Sequence, residues 1–444
     1  MIRLPEKVKQ IIQRITDAGF EAYAVGGCIR DSLLMRTPDD WDITTSAAPF
    51  QVKELFSHTV DTGIKHGTVT VLIGGEGFEV TTYRIDGKYE DGRHPSEVIF
   101  TPSLEEDLKR RDFTINAMAY NEKDGLVDIF DGMGDMERGL IRCVGDPAER
   151  FSEDALRMMR AVRFSAQLGY QIEEPTAEAI RRLAPDLKRI SAERIRTELV
   201  KLAVSPHPEY LRTAYELGIT KVILPEFDAC METPQNNPHH CYNVGEHTLE
   251  SMRHISAHKV LRLAMLLHDI GKPETVTTDE RGINHFHGHP MRSEEISRRI
   301  LRRLKFDNHT IDQVTKLVKY HDYWVEPSQR CVRRAVMKTG EDIFPLLLQV
   351  KRADMEAQSG YQREEKEENL KAVSALYEQV VMQKQCVSLK TLAVSGRDLM
   401  EHAGMSPGKK IGEVLNYLLN FVIEDPSRNE KEILIREAER YLKM

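Results

Sequence analysis

Several features are scarce in this sequence of 444 residues, and each scarcity excludes a class of protein. The six cysteines are scattered without a C-x-x-C pair, which excludes a disulfide framework and favours a reducing compartment. No stretch approaches the roughly 18 apolar residues that a membrane-spanning helix needs. The N-terminal stretch carries a charge every few residues, so we predict neither a signal peptide nor a membrane anchor there. We expect a soluble, cytoplasmic protein without a membrane partner.

An excess of positive charge is also lacking. Lysine and arginine number 62 against 70 aspartate and glutamate residues, which gives a formal net charge of −8. This balance excludes a uniformly basic surface that binds nucleic acid indiscriminately, but it is compatible with a local basic track. Residues 181–196 and 292–305 each hold six basic residues against two acidic ones, and we predict a helix in both. Each is either a solvated helix face, the default for such runs, or a track for an RNA backbone.

The hydrophobic pattern changes near residue 146. Before this point, an amphipathic helix over residues 5–18, a short apolar strand within residues 21–27 and a hairpin around Gly74-Gly75 predict a mixed α/β region. After it, the period is almost entirely helical, with proline and glycine at the breaks. We predict an α+β fold, in which a head with an antiparallel or mixed sheet is followed by a long all-α body. The predicted segments are residues 1–146, 147–232, 233–360 and 361–444.

Candidate catalytic residues follow the first predicted strand. Gly26 and Gly27 lie between this strand and a helix, where exposed backbone N–H groups favour phosphate oxygens. Asp40 and Asp42 are two residues apart, and on a strand this spacing places both carboxylates on one face, where a cation must offset their repulsion. Glu79 lies between two apolar residues on another predicted strand. Three such carboxylates would hold two Mg²⁺ ions, whereas the plain alternative for Asp40 and Asp42 is a solvated turn.

The motifs around these residues resemble those of a known family. The segments GGCIRDSLL, DWDITT, EEDLKRRDFTINAMAY, DIFDGMGDMERGLIRCVGDP, RFSEDALRMMRAVRF and ERIRTEL resemble, in that order, motifs of the polymerase-β-like nucleotidyltransferases, in the branch of bacterial poly(A) polymerases and class II CCA-adding enzymes. The resemblance covers residues 20 to about 230, and residues 404–419 resemble the tail of that family. It implies a polymerase-β-like head in which Asp40, Asp42 and Glu79 bind Mg²⁺. The implied activity transfers nucleotides from CTP and ATP to the 3′-hydroxyl of tRNA.

The same resemblance implies residues that bind the nucleotide. Arg111 would contact the triphosphate and Asp112 would accept from a ribose hydroxyl, although a surface ion pair is the alternative. The residues assigned to nucleotide binding are Gly26, Gly27, Arg30, Arg111, Asp112, Asp154, Arg157, Arg160 and Arg163.

Three of these arginines form a row on a predicted helix. Arg157, Arg160 and Arg163 are spaced by three residues along one face, and we place Glu153 and Asp154 one turn earlier. A solvated basic face would also produce this row. The resemblance implies that Asp154 and Arg157 act as an amino-acid template, because a carboxylate accepts from the amino group of cytosine or adenine and a guanidinium donates to the ring. Uracil and guanine present a carbonyl at that position and would be rejected.

Histidine is concentrated in one region, since 11 of the 16 histidines lie between residues 239 and 321. This region resembles an HD-type phosphohydrolase domain, here residues 233–360, which binds a divalent transition metal or Mg²⁺. A hydrogen-bonded structural role is the alternative for each single histidine. The implied metal ligands are His247, His268, Asp269 and Asp354, with His289 and His321 for a second metal or a phosphate. Residues 361–444 are predicted to be a helical tail that binds tRNA.

Several functions share these residues. Residues 84–107 include a polar loop that is shortened in family members that add only CC, and its complete length here favours an enzyme that adds the terminal A. An adenylyltransferase that uses only ATP is the nearest competitor. An HD phosphatase or phosphodiesterase with a vestigial head belongs to a different enzyme class, and an RNA-binding module without catalysis is a further alternative.

Overall fold

In the computed structural model, which describes residues 2–87 and 98–443, the chain divides into one unit that ends at Pro225 and another that begins at Glu226. The sequence pattern divides the chain into four predicted segments, which is more than these two units. The additional boundaries within each unit stay a prediction. The polar loop predicted within residues 84–107 lies in part outside the described residues, because residues 88–97 are not among them. Its two flanks are described, and they pair as antiparallel strands.

The first unit carries the sheet strands and a set of mostly short helices. The strands are β1 (Ala22–Val25), β2 (Ile43–Thr45), β3 (Thr59–Gly63), β4 (Thr68–Ile73), β5 (Glu76–Thr82), β6 (Arg84–Asp86), β7 (Val98–Phe100), β8 (Met118–Asn121), β9 (Gly125–Asp128), β10 (Leu140–Ile141) and β11 (Gln171–Ile172). The α-helices are α1 (Glu6–Asp17), α2 (Gly27–Leu33), α3 (Pro49–Leu55), α4 (Leu104–Lys109), α5 (Gly132–Arg138), α6 (Pro147–Glu153), α7 (Leu156–Leu168), α8 (Glu174–Leu183), α9 (Ala192–Ala203), α10 (Leu211–Glu216) and α11 (Thr220–Ile223). The predicted N-terminal helix, first strand and hairpin are confirmed.

A seven-stranded mixed sheet organises the head, in the order β3-β4-β5-β2-β1-β8-β9. Its neighbouring strands are antiparallel except β2 and β5, which run parallel with Ile43 opposite Val80. The apolar face of α1 covers the sheet through Val8, Ile11 and Ile15, in one core with Ile43 and Val80. This parallel pair matters for the site, because it places the start of β2 beside the middle of β5.

Residues 147–225 are helical apart from β11, which pairs with β10. The single helix predicted over residues 181–196 is wrong. Helix α8 ends at Leu183, a 3₁₀ turn follows over Ala184–Arg189, and α9 begins at Ala192. Pro185 lies at the start of this turn and has no N–H to continue the α-helical hydrogen bonds, which explains the break.

The second unit is a helical array with one short hairpin that the helical period did not predict. Its helices are α12 (Pro225–Glu232), which starts at the boundary, α13 (Val244–Arg253), α14 (Lys259–Leu267), α15 (Lys272–Thr275), α16 (His289–Arg303), α17 (Asn308–Tyr320), α18 (Gln329–Thr339), α19 (Phe344–Glu356), α20 (Arg363–Met382), α21 (Gly396–His402), α22 (Lys409–Glu424) and α23 (Lys431–Lys443). The hairpin strands are β12 (Thr277–Thr278) and β13 (Asn284–His285).

Helix α14 is the centre of this unit. Every residue from Val260 to Leu267 is buried, and all of them except Arg262 are apolar, as expected for a core helix. The helix ends at Leu267, so the His268-Asp269 pair directly follows a buried core element. Within the described parts of the chain, no helix combines the length and the apolar character needed to cross a membrane.

Candidate catalytic cleft and candidate metal centre

The three predicted carboxylates of the head face one cleft. Asp42 directly precedes β2, and its carbonyl accepts a hydrogen bond of 3.0 Å from the N–H of Val25 in β1. Because Ile43 pairs with Val80 in the parallel ladder, Asp42 and Glu79 are neighbours on the same side of the sheet. Asp40, Asp42 and Glu79 are exposed and line a common cleft. Asp40 and Asp42 lie in the loop before β2 and not on a strand, so the strand spacing from which a shared face was predicted does not apply to this pair.

The electrostatics of this acidic cleft favour a cation. Partial desolvation and the negative charges of Asp40 and Glu79 raise the pKa of Asp42, while the charge of Arg111 lowers it. Among residues 2–87 and 98–443, groups of three potential ligands with atoms within 4.8 Å of one another occur twice, and both groups lie in the second unit. The cleft carboxylates are therefore spaced more widely than the ligands of a closed metal site. They fit a hard divalent ion whose other ligands come from water or a bound phosphate.

The glycine turn after β1 lies beside Arg111, whose charge acts on Asp42 of the cleft. Gly26 has a φ of 86°, which favours glycine, and a Cβ there would lie 2.9 Å from Arg111 Nη1. Arg111 Nη2 lies 3.9 Å from Asp107 Oδ2, and its Nε is buried without a hydrogen-bond partner among the described residues. Burial lowers the pKa of Arg111, whereas the charges of Asp107 and Asp42 raise it. The guanidinium therefore keeps at least one N–H donor that makes no hydrogen bond with a described residue, and phosphate binding uses such donors.

Arg30 is placed differently from Arg111, because protein groups already surround it. Its Nη1 donates to Asn116 Oδ1 over 2.7 Å, and its Nη2 lies 2.8 Å from Asp31 Oδ2. The guanidinium also lies 5.0 Å from the ring centroid of Phe164, which belongs to α7. Arg30 thus ties α2 to the arginine-bearing helix, and its contact with a nucleotide stays a prediction.

Asp112 is a buried carboxylate with strong partners. It accepts from Arg160 Nε over 2.7 Å and from Asn116 Nδ2 over 3.3 Å, and the residue is 8% exposed. Burial alone would raise the pKa of Asp112, but the charges of Arg160 and Arg157 and these hydrogen bonds lower it to about 2. Asp112 is therefore ionised, and it fixes the middle arginine of the α7 row.

Asp154 lies in a break between two helices. The prediction that it lies one helical turn before Arg157 is wrong, because α6 ends at Glu153 and Asp154 is extended, with φ −144° and ψ 103°. Its Oδ1 accepts from the N–H of Leu156 over 3.0 Å and so caps α7, while its Oδ2 accepts from Arg194 Nη2 over 2.6 Å. Arg157 Nη1 donates to Glu153 Oε2 over 2.6 Å. Asp154 and Arg157, the candidate template pair, are thus each held by a charged partner, Arg194 and Glu153 respectively.

The three arginines of α7 lie along one face, as predicted, but they differ in access. Arg163 is the most buried, with 7% of its side chain exposed. Its Nε donates to Glu198 Oε2 over 2.5 Å, and its Nη1 donates to Gln167 Oε1 over 2.7 Å. By contrast, the Arg160 side chain is 34% exposed. Arg160 is therefore the accessible arginine of the row, whereas Arg157, with 11% of its side chain exposed, is nearly as buried as Arg163.

The predicted ligands of the second unit converge into one histidine cluster. The cluster consists of His247, His268, Asp269, His289, His321 and Asp354. In its first half, His247 Nε2 lies 2.9 Å from Asp354 Oδ1 and 3.3 Å from His268 Nε2. In its second half, His289 Nε2 lies 3.2 Å from His321 Nε2.

Asp269 joins the two halves. Its Oδ2 lies 3.2 Å from His268 Nε2, and its Oδ1 lies 3.3 Å from His289 Nε2 and 3.6 Å from His321 Nε2. Both oxygens are buried and neither accepts a well-oriented hydrogen bond from a described residue, although Lys272 Nζ lies 2.7 Å from Oδ2. Lys272 offsets part of the charge of this buried carboxylate, and the surrounding set of imidazole nitrogens and carboxylate oxygens fits one or two divalent ions.

The four histidines of the cluster are oriented by the backbone. Each Nδ1 faces a carbonyl oxygen: Met265 for His268 at 2.7 Å, Val318 for His321 at 2.6 Å, Phe286 for His289 at 2.8 Å and Ala357 for His247 at 3.4 Å. An Nδ1–H that donates to a carbonyl leaves Nε2 as the lone-pair atom, which is the tautomer that ligates a metal. The backbone thus prepares all four Nε2 atoms for one centre.

The carboxylates of the cluster are held in the ionised form. Burial would raise the pKa of Asp354, but a hydrogen bond and the charge of His247, with the charge of His268, hold it far below its ordinary value. Burial also opposes ionisation of Asp269, yet the charges of His268 and Lys272 hold the pKa of Asp269 well below its ordinary range. Ionised carboxylates are the form in which a metal site binds its ion, and a bound divalent ion would replace the histidine charges that hold them ionised here.

Comparison with known proteins agrees with this geometry. Residues 22–142 match the family model described as "Poly A polymerase head domain", residues 169–231 match "Probable RNA and SrmB- binding site of polymerase A", and residues 275–438 match the tRNA nucleotidyltransferase domain 2. The CCA-adding enzyme of Lactobacillus helveticus is 36% identical over 449 residues, which cover 99% of this chain and 98% of that protein. The chain belongs to the family of CCA-adding enzymes.

Solved structures of the CCA-adding family extend the likeness to the fold. The Bacillus stearothermophilus CCA-adding enzyme in complex with CTP is 30% identical, with a TM-score of 0.72 and coverage of 98% of each chain. The Thermotoga maritima CCA-adding enzyme complexed with tRNA is 21% identical, with a TM-score of 0.58, and shows a likeness of fold alone. The predicted family and fold class are confirmed.

Some contact residues of this member of the CCA-adding family were not predicted. Arg194, which holds Asp154, lies in the ERIRTEL motif, but the sequence gives no sign of which residue it pairs with. Lys272 follows Asp269 by three residues and contacts it at the end of the core helix. His240 has a buried Nδ1 without a partner among the described residues, and its ring lies 5.1 Å from that of His247. A histidine in a loop carries no periodic signal that would have indicated this placement.

Proposed function

We propose that this chain is a CCA-adding tRNA nucleotidyltransferase, which builds the 3′-terminal CCA of tRNA from CTP and ATP without a nucleic-acid template. The observation that carries the proposal is the acidic cleft beside Arg111. It occurs in a chain that a CCA-adding enzyme matches over nearly its whole length.

In the proposed reaction, the 3′-oxygen of the RNA forms a bond to the α-phosphorus of the incoming nucleotide. The bond from this phosphorus to the oxygen of the β-phosphate breaks, pyrophosphate leaves, and the hydroxyl loses its proton. Asp40, Asp42 and Glu79 would hold Mg²⁺, which when bound neutralises phosphate charge and activates the hydroxyl. Arg111 and the Gly26-Gly27 turn bind the triphosphate through guanidinium and backbone donors.

The base is selected by Asp154 and Arg157. A carboxylate has about four lone-pair sites, so Asp154 can accept from the amino group of cytosine or adenine in addition to its bonds with Arg194 and the backbone. Asp112 likewise accepts from a ribose hydroxyl beside its bond to Arg160. Arg163 is bound to Glu198, so its role is to position the helix that carries the arginine row and not to contact the base.

Incorporation of labelled nucleotides into a tRNA that lacks its 3′ CCA tests the function. With Mg²⁺, we expect labelled CTP to label the tRNA when it is the only nucleotide supplied. Labelled UTP and GTP should leave the tRNA unlabelled. The matched control is the double variant Asp40→Ala plus Asp42→Ala, which should incorporate nothing. Incorporation of AMP without any CMP would overturn the proposal and identify an adenylyltransferase that uses only ATP.

We further propose that the histidine cluster is a divalent-metal site that hydrolyses phosphate esters. The observation behind this second activity is the pair of adjacent ligand groups, one of which contains the buried Asp269, whose Oδ2 lies 3.2 Å from His268 Nε2 of the other group. Nitrogen and oxygen ligands suit a transition metal, and Mg²⁺ is the alternative. A divalent ion bound there supplies Lewis acidity toward a phosphoryl oxygen. Lys272 then neutralises part of the charge on Asp269, which it contacts.

Metal analysis and a hydrolysis assay test the cluster. We expect purified protein to retain divalent metal and to release phosphate from p-nitrophenyl phosphate. His268→Ala should lose both properties, whereas the head variant Asp40→Ala plus Asp42→Ala should keep both. Absence of retained metal together with absence of hydrolysis, in protein that incorporates nucleotides normally, would contradict this second activity.

A further inference from the structure

The first unit contains a fully buried carboxylate, that of Asp107 on α4. Its Oδ2 accepts from Thr44 Oγ1 over 3.0 Å, and its Oδ1 accepts from Arg110 Nε over 3.0 Å and from the N–H of Arg84 over 3.3 Å. A buried carboxylate is costly unless charged and hydrogen-bonded partners satisfy it, as these partners do. Asp107 therefore fixes the positions of several segments relative to one another.

The bond with Thr44 connects Asp107 to the acidic cleft. Thr44 is fully buried on β2, the strand that begins directly after Asp42. This strand runs parallel to β5, which carries Glu79. A displacement of β2 would therefore move Asp42 relative to Glu79.

The charged partners of Asp107 follow it in the chain. Arg110 Nη2 lies 2.9 Å from Asp107 Oδ1, and Arg111 Nη2 lies 3.9 Å from Oδ2. Two adjacent guanidiniums repel each other, and the nearby carboxylate offsets both charges. Burial lowers the pKa of Arg111, and the charge of Asp107 opposes this and favours the charged guanidinium. Asp107 thus holds Arg111, the proposed triphosphate ligand, at a fixed distance from β2.

Arg110 also connects Asp107 to the helix that carries the arginine row. The carbonyl oxygen of Arg110 accepts from Arg157 Nη2 over 3.1 Å. Arg157 is proposed to select the base, so a displacement of Arg110 would move that residue too. One buried carboxylate therefore reaches, directly or through one further residue, the proposed binding groups for the metal, the triphosphate and the base.

We propose that Asp107 is a positioning residue for nucleotidyl transfer, which through Thr44 and Arg110 keeps the cleft carboxylates, the triphosphate and the base in one alignment. The proposal rests on the CCA-adding function proposed above. The attacking oxygen must be in line with the bond that breaks, and a displacement of about 1 Å can cost about 10²-fold in rate. A network that fixes these groups before the nucleotide binds therefore acts on kcat more than on binding.

Two variants separate the charge of Asp107 from its bond with Thr44. Asp107→Asn keeps the size of the side chain and can still bond to Thr44 through its amide, but it removes the charge that offsets the arginines. Thr44→Val keeps the shape of the side chain and removes the hydroxyl that donates to Asp107. We expect kcat for CMP incorporation to fall about 10²-fold in Asp107→Asn and about tenfold in Thr44→Val. Thr44→Ser, which keeps the hydroxyl, should keep the wild-type kcat.

Thr45 provides the matched control. It is fully buried on the same strand, where successive side chains point to opposite faces, and its hydroxyl donates to the carbonyl of Glu21 over 2.6 Å. Thr45→Val therefore loses a buried hydrogen bond of the same kind, but not one with Asp107. We expect this variant to lower the melting temperature about as much as Thr44→Val and to leave kcat unchanged. Equal losses of kcat in Thr44→Val and Thr45→Val would overturn the proposal, because they would reflect general destabilisation.

Nucleotide binding is measured separately by calorimetric titration with CTP and Mg²⁺ in the absence of RNA, where no turnover occurs. We expect the Kd for CTP in Asp107→Asn and Thr44→Val to stay close to that of the wild type. A loss of CTP affinity as large as the loss of kcat would overturn the proposal, because Asp107 would then support binding and not alignment. If Asp107→Asn fails to fold, which its melting temperature reveals, Thr44→Val decides the matter.

The assay also separates this role from the proposed function. If the wild type incorporates CMP and both variants retain its kcat, the positioning role of Asp107 fails and the CCA-adding function stands. If the wild type incorporates AMP but no CMP, the CCA-adding function fails, and kcat for AMP tests the role of Asp107 in the same way.

Discussion

The acidic cleft of the first unit and the histidine cluster of the second both gather carboxylates for cations, but they hold them in opposite ways. Asp40, Asp42 and Glu79 are exposed and spaced more widely than the ligands of a closed site. Asp269 and His268 are buried, and their ligand atoms already lie within 4.8 Å of partners. With the proposed metals bound, the cleft would need a substrate phosphate to complete the metal coordination, whereas the ligand atoms of the cluster already lie close together without a substrate.

This difference follows from the elements that carry the two sites. The cleft carboxylates are exposed to solvent, although partial desolvation and mutual repulsion still raise the pKa of Asp42. The cluster is built at the ends of packed helices, and backbone carbonyls orient each of its imidazoles. A substrate-dependent metal site and a resident one are thus expected in the same chain.

The largest effect is expected from a single change in the cleft. Asp42→Asn keeps the shape of the side chain and removes its charge, so nucleotide incorporation should fall by about 10³-fold or more, because charge stabilisation is the main catalytic term in phosphoryl transfer. The assay is incorporation of labelled CMP. Asp39→Asn, an exposed neighbour that lines the same cleft, is the control and should change the rate little. Equal losses in the two variants would indicate a general electrostatic effect rather than a metal site.

A second variant tests the resident site. His268→Ala removes a ligand that is fully buried, so retained metal and phosphatase activity should fall by about 10²-fold, a typical effect when a metal site loses a key group. Incorporation of CMP should be unchanged. His309→Ala, an exposed histidine on α17, serves as the control. A fall in CMP incorporation in His268→Ala would show that the two sites are not independent, which would break the comparison.

Base selection should change by a smaller factor. Asp154→Asn replaces one acceptor oxygen with a donor, so the preference for CTP over UTP should fall by about 10- to 100-fold, the discrimination that one good bidentate contact supplies. The measurement is the ratio of kcat/KM for the two nucleotides. Arg194→Gln removes the charged partner of Asp154 but leaves the Asp154 carboxylate in place. This variant should also lower the ratio, but by a smaller factor. An unchanged ratio in Asp154→Asn would remove this residue from the template.

The smallest expected effect concerns stability in acid. The pKa of Asp112 is about 2 in the folded chain, below its ordinary value of 3.8, so its ionised form stabilises the fold at pH values above about 4. As the pH falls from 4 towards 2, this contribution of roughly 2 kcal/mol should be lost. Urea unfolding of the wild type and of Asp112→Asn measures this contribution. The difference between their free energies of unfolding should become smaller as the pH falls over this range. A difference that is constant with pH would contradict the ion pair with Arg160.

Much of the fold could be predicted from the sequence because it depends on short-range patterns, and the candidate residues of both sites were indicated by motifs that resemble those of known families. The alternation around Glu79 and the adjacency of His268 and Asp269 are visible along the chain. The long-range pairings were not predictable, since nothing along the chain links Asp154 to Arg194, which is 40 positions away. The helix break at Asp154 was missed for a related reason, because its carboxylate caps α7 and replaces helical hydrogen bonds.

A small cavity in the second unit, lined by Trp324, Leu348 and Val373 among others, could not be predicted from the sequence either. Trp324, Leu348 and Val373 belong to a loop and two different helices, and each has an ordinary place in its own pattern. Their meeting beside the histidine cluster results from tertiary packing. Likewise, the sequence indicated six metal-site residues, but the position of Asp269 between His268 and His289 emerged only from the geometry.

The most direct test of the account is the sequence of the ends that the enzyme makes. A tRNA that lacks its last three nucleotides is incubated with CTP, ATP and Mg²⁺, and the 3′ ends of the products are sequenced. The account predicts products extended by C, C and A, in that order, with no further addition. A single added A, or a run of A residues on tRNA without preceding C, would contradict it.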